Sequence, residues 1–183
     1  MFEILESRLK GCLKLTPKTF VDQRGQFTKV FHEKTFSDLG LETQFKEEYF
    51  SVSRSGVLRG MHFQSPPDDH VKLVYCLNGM ALDVVLDIRK GSPTYGQYDM
   101  FELNGDEASC IYIPKGFAHG FYTLSDSATM VYKVSTMHSP NHDHGILWNS
   151  FGVNWPSKSP ILSNRDSSFA GLESFISPFT YDD

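Results

Sequence analysis

A chain of 183 residues with 40% hydrophobic and 21% charged positions can bury a proper core, and it is predicted as one domain over 1-183. Its net charge of −5 offers no basic face to a phosphate backbone, which excludes nucleic acid as a partner. No run approaches the ~20 apolar residues of a membrane span, and the acid-bearing start MFEILESRLKG lacks the pattern of a secretion signal. Cys12, Cys76 and Cys110 are scattered with no C-x-x-C spacing, which predicts free buried thiols and a cytoplasmic location.

In chain order, LKLTPKTFV (13–21) reads as a strand interrupted by Pro17. The turn Asp22-Gln23-Arg24-Gly25 and a second strand, QFTKVF, follow it. EKTFSDLG (33–40) reads as one short helix ending on Gly40. LRGMHFQ (58–64) reads as a strand. Strict alternation puts Leu58, Gly60, His62 and Gln64 on one face and Arg59, Met61 and Phe63 on the other. KLVYCLNGMALDVVLDI predicts a hairpin closed by a type I′ turn at Asn78-Gly79, its second strand presenting Leu82, Val84, Leu86 and Ile88 on one apolar face. ASCIYIPKGFAHGFYTLSD predicts two strands around Pro114-Lys115-Gly116, and TMVYKVST another. Past Trp155-Pro156 the serine- and proline-rich tail is expected to wrap the body, with one short helix near 167–175. Short strands at regular spacing predict an all-β fold with a few short helices, closed as a small antiparallel barrel or jelly roll around a cavity.

The sequence Pro114-Lys115-Gly116-Phe117-Ala118-His119 is half of what a metal-binding cupin barrel carries. The other half, paired histidines followed by a glutamate, is replaced by His62-Phe63-Gln64, so no metal is expected. His138, His142 and His144 sit in a loop rich in Asn and Gly and are read as solvated. A histidine oriented by a carboxylate is a good proton acceptor, a buried lysine stabilises an enolate oxygen, and a tyrosine returns a proton from the opposite side. His62, Asp166, Lys72 and Tyr132 supply those parts, with His62 and Lys72 expected on neighbouring strands. Each part also has a plain structural reading: Lys72 a strand-edge gatekeeper, Tyr132 a core aromatic, Asp166 a turn former.

Over FVDQRG, VLRGMHFQ, KLVYCLNGMALDVVLDIRKGSPTYG, YIPKGFAHGFYTLSD, VYK, GILWN and NWP, the chain resembles the dTDP-4-dehydrorhamnose 3,5-epimerase family, cupin-like jelly rolls acting on sugar nucleotides. The resemblance implies His62 as base, Asp166 as its partner, Tyr132 as acid and Lys72 at the substrate's C4 oxygen with His119 close by. It implies Arg59 and Arg24 at the diphosphate, one of them reaching across a homodimer, and Asp143 and Gln64 in the sugar-binding set. No cofactor is implied. Positions near the nucleotide and the sugar rim depart from the family pattern: Lys29, Glu47-Glu48-Tyr49, Tyr75 and Met137-His138. The expected activity is therefore epimerisation of a nucleotide-linked 4-keto-6-deoxy sugar at C3, C5 or both. A CDP- or GDP-linked substrate with one inverted centre stays open beside it, as do a metal-dependent cupin oxygenase and a sugar-binding barrel without catalysis.

Overall fold

The computed structural model describes residues 2–181, and strands dominate it. They are β1 (Phe2–Glu6), β2 (Leu13–Pro17), β3 (Thr19–Asp22), β4 (Gly25–Thr28), β5 (Glu47–Arg54), β6 (Leu58–Gln64), β7 (Lys72–Asn78) and β8 (Met80–Asp87). β9 (Tyr98–Asn104), β10 (Cys110–Ile113), β11 (Phe117–Thr123), β12 (Ser127–Val134) and β13 (Asp143–Gly145) complete the set. A six-stranded sheet runs β1-β2-β10-β7-β12-β5, a five-stranded sheet runs β13-β6-β11-β8-β9, and β3-β4 form a separate ribbon. The strand pairings within the sheets are antiparallel. The jelly-roll expectation holds.

The two sheets face each other across a shared core. Val74, Ile111, Met130 and Tyr132 enter it from the six-stranded sheet, and Val85, Leu103, Phe117 and Phe121 from the five-stranded one. The tail covers the outer side of the five-stranded sheet. Trp148, Trp155 and Phe179 pack there on Leu58, Met61, Val84 and Leu86, and Ile161 pairs with Val57. On the outside of the six-stranded sheet the helix α1 (Glu33–Asp38) buries Phe36 against Leu15, Leu73 and Tyr112. Its start is capped by the His32 side chain accepting from the Thr35 N–H, and it stops at Gly40, whose φ of +70° suits glycine. Cys12, Cys76 and Cys110 are free and buried, as their spacing predicts.

The hairpin predicted across Asn78-Gly79 is not one. β7 pairs with β10 and β12, whereas β8 pairs with β9 and β11, so this turn carries the chain from one sheet to the other. Asn-Gly satisfies any tight reversal, and Gly79 is needed because an added Cβ would lie 2.0 Å from the Ser127 carbonyl oxygen. β8 consequently has two buried faces. Leu82, Val84 and Leu86 serve the outer core, while Ala81, Asp83 and Val85 face inward. The predicted tail helix is two separate pieces, α2 (Asn164–Ser167) and a 3₁₀ turn at Leu172–Ser174. β1, β5, β9 and β13 have no counterpart in the sequence reading.

Strict alternation also fails in β6. His119 pairs with His62 and Phe121 with Arg59, so three steps along β6 oppose two along β11, a bulge at Gly60-Met61. The bulge turns Arg59 and His62 toward one cavity and sends Leu58 and Met61 together into the outer core. Gly60 has φ +142°, and a Cβ there would sit 2.5 Å from the Gly120 Cα. Gly60→Ala is expected to destabilise the fold by about 3 kcal/mol, read by urea unfolding, because neither backbone can retreat.

Candidate active site

A cavity of about 510 Å³ opens between the sheets. The six-stranded sheet lends it Tyr49, Ser51, Lys72 and Tyr132, and the five-stranded sheet Arg59, His62, His119 and Asp143. His62 and Lys72 thus come from opposite sheets, not from neighbouring strands as the sequence suggested. The Lys72 ammonium still reaches across to donate to the His62 carbonyl oxygen at 3.1 Å.

The tail supplies the carboxylate. Ser163 caps α2, accepting from the Asp166 N–H, and this holds Asp166 beneath β6 with 3% of its surface exposed. Its Oδ1 lies 2.9 Å from His62 Nε2, and its Oδ2 accepts from the Gly60 N–H at 3.1 Å. Burial alone pushes the Asp166 carboxyl upward. The hydrogen bond and charge of His62, with the Gly60 and Ser163 contacts, outweigh it and hold the group below its ordinary range. An ionised Asp166 requires the proton on Nε2, which leaves the basic lone pair of His62 on Nδ1.

Tyr132 stands in the facing sheet. Its ring stacks on Tyr49 at 4.9 Å and meets the edge of His119 at 6.2 Å, and its hydroxyl lies 3.1 Å from Ser51 Oγ. Burial pushes the phenol pKa up, with the Ser51 bond opposing it, so Tyr132 enters any reaction protonated. Lys72, 7% exposed, is lowered to about 8 by burial, against the pull of Asp143 and Asp83. It is a cation at neutral pH with little water around it.

The remaining predicted residues divide. His119 lines the cavity, and its Nε2 lies 2.7 Å from Oδ2 of the fully buried Asp83. Arg59 donates to Ser53 Oγ and faces the cavity. Asp143 lies at the rim, paired with Arg165 at 2.7 Å and with His138 at 3.2 Å; His138 is solvent-exposed, as the sequence suggested, and stands at the outer edge of the site. Gln64 lines the cavity, but its amide is spent on the protein, donating to the Asp68 carbonyl and accepting from the Ser139 N–H. That saturation gives it a loop-tethering position instead of a free substrate contact. Arg24 sits at the tip of the β3-β4 ribbon, ion-paired with Asp22 and outside its own chain's cavity, so of the two arginines expected at the diphosphate only Arg59 lines this cavity. Among the described residues no group of three His, Cys, Asp or Glu is disposed to hold a metal ion. No helix among the described residues is long and apolar enough to cross a membrane.

The family model for dTDP-4-dehydrorhamnose 3,5-epimerase matches residues 6–174. The chain belongs to that family. The dTDP-4-dehydrorhamnose 3,5-epimerase of Shigella flexneri is 40% identical over 166 residues, 89% of this chain and 92% of the relative. The crystal structure of dTDP-6-deoxy-D-glucose-3,5-epimerase from Legionella pneumophila, in complex with dTDP-4-keto-L-rhamnose, superposes with a TM-score of 0.95 at 34% identity and full coverage of both chains. A 3'-monoepimerase from Streptomyces bikiniensis, in complex with dTDP-quinovose, superposes at 0.87 with 30% identity over 91% of this chain and 86% of that one. Family membership makes the protein an isomerase of the sugar-nucleotide epimerase class.

Within this epimerase fold, sequence reasoning did not single out Asp83, buried behind His119, or Ser51 on the cavity wall, and named Tyr49 only as a departure from the family pattern. Asp83 looked like the solvent side of an amphipathic strand, because nothing local says that β8 is covered on both faces. Tyr49 and Ser51 lie two apart on β5 and share one face, a period-2 signal that reading β5 as a strand makes visible.

Proposed function

We propose that the protein inverts C3 and C5 of a dTDP-linked 4-keto-6-deoxyhexose through enolate intermediates. The observation that carries this reading is a carboxylate-held imidazole and a buried phenol on opposing sheets, lining one cavity with a desolvated lysine cation. The 4-keto group acidifies the hydrogens on C3 and C5. His62 Nδ1 takes one of them, Asp166 stabilises the imidazolium, and negative charge collects on the C4 oxygen beside Lys72. Tyr132 then delivers its proton to the same carbon from the other side of the ring, which inverts the centre. The same pair acts on the second carbon. Arg59 serves the diphosphate, and His119, fixed by Asp83, serves the sugar end of the cavity.

The thymidine nucleotide follows the names of the relatives. The reading includes a homodimer, supported by the β3-β4 ribbon. It carries Arg24 away from its own cavity and exposes Phe20, Val21 and Phe27 by more than half.

Incubation in D₂O with thymidine-, cytidine- and guanosine-linked 4-keto-6-deoxy sugars tests the proposal. Deuterium at both C3 and C5 of the thymidine-linked compound is expected. Label at one carbon only would show a mono-epimerase, label with another nucleotide would reassign the base, and no label with any of the three would end the epimerase reading.

A further inference from the structure

Double inversion by one acid and one base carries a requirement that the dyad and the lysine do not meet. After the first carbon is inverted, His62 holds an extra proton and Tyr132 has lost one. The second inversion cannot begin until both are reset. His62 borders the cavity with about a third of its side chain exposed, so its proton has a route out. Tyr132 is 7% exposed, and burial makes its phenolate costly.

We propose that Ser51 is the proton relay that resets Tyr132 between the two inversions, a role that rests on the double-inversion reading above. Ser51 Oγ lies 3.1 Å from Tyr132 Oη, and Ser51 is itself half-buried and lines the cavity. Tyr49 and His119 touch Tyr132 through ring contacts, which bring no proton to Oη. Before the reaction Ser51 donates to Oη, freeing the phenolic hydrogen to point at the substrate carbon. After transfer, the Ser51 hydroxyl proton moves to the phenolate oxygen, and a cavity water returns a proton to Oγ. The hydroxide left behind takes the proton that leaves His62 Nδ1. Only O–H and N–H bonds form and break, and the charge balances. Ser51 acts through Tyr132, so it is a positioning residue whose effect falls on the second step more than the first.

The test follows Ser51→Ala and Ser51→Thr with the enzyme in excess over dTDP-4-keto-6-deoxyglucose in D₂O, quenched over time and analysed for singly and doubly labelled sugar. For Ser51→Ala the first labelling is expected within about threefold of the parent rate and the second slowed ~10-fold or more, so singly labelled product accumulates. Ser51→Thr retains a hydroxyl and restores the parent ratio. A parent-like ratio in the alanine variant, equal slowing of both labels, or a threonine variant that behaves like alanine would each overturn the relay. Parent protein that labels one carbon removes the second step and the relay with it. Parent protein that labels neither refutes the proposed function itself, which is a different failure.

Discussion

Asp166→Asn is expected to lower kcat by about 10³–10⁴ while KM moves only a few-fold. The size comes from the two partners of the carboxylate. Oδ2 accepts from the buried Gly60 N–H, and Oδ1 holds His62 Nε2. In an asparagine, the one remaining oxygen must serve Gly60, because a buried backbone N–H left without an acceptor costs roughly 1–3 kcal/mol. The amide NH₂ is then turned toward His62 Nε2. A donor there forces Nε2 to become the acceptor and moves the ring proton to Nδ1, the nitrogen that takes the substrate's proton in the proposed mechanism. The variant folds with its imidazole in the wrong tautomer and without the negative charge that stabilises the imidazolium. Steady-state kinetics with a thermal melt in parallel measure both halves. A kcat within ~10-fold of the parent would show that Asp166 only ties the tail to β6.

How far the sequence reveals this site depends on whether a residue's neighbours are local. The helix at 33–40 and the strands around Pro114-Lys115-Gly116 were legible, because period and turn chemistry are local signals, whereas His62, Lys72, His119 and Tyr132 came together as a set only through the family resemblance. The switch of sheets at Gly79 was not legible. A glycine with positive φ serves a hairpin and a sheet crossing equally well, and the choice is made by β10 and β11, more than thirty residues further on. The bulge at Gly60 was hidden for a similar reason. Glycine in a strand signals a close approach, but only the partner Gly120 shows that the approach inserts an extra residue and brings Arg59 to the His62 side. Asp83 is the sharpest instance. In sequence it belongs to the polar half of an alternating strand, and in the fold it is fully buried against His119. Burial on both faces of β8 follows from the second sheet, which no pattern within β8 encodes.

Lys72→Met should move activity and stability in opposite directions. Lys72 is a cation held almost without water, and under the proposed mechanism the fold bears that desolvation for the sake of the C4 oxygen. Its pKa of about 8, against 10.5 for the ordinary group, means that the native state binds fewer protons than the unfolded chain between those values. Stability therefore rises as pH climbs from about 8 toward 10.5, and the penalty is fully present below pH 8. An apolar side chain of similar length abolishes the penalty at neutral pH, so the melting temperature of the methionine variant should exceed that of the parent. Asp143 and Asp83 sit close enough to pull the lysine upward and lose a favourable partner in the variant, which limits the gain without reversing it. Activity falls in the same experiment. Removal of one preorganised donor at a developing oxyanion costs about 10²–10³ in kcat. The parent's pH profile carries the matching signature: kcat should decline above pH 8 as the ammonium deprotonates, and that limb should vanish in the methionine variant. A parent profile flat from neutral pH to well above the lysine's pKa, or a variant both less stable and equally active, would place Lys72 in the scaffold and remove it from the chemistry.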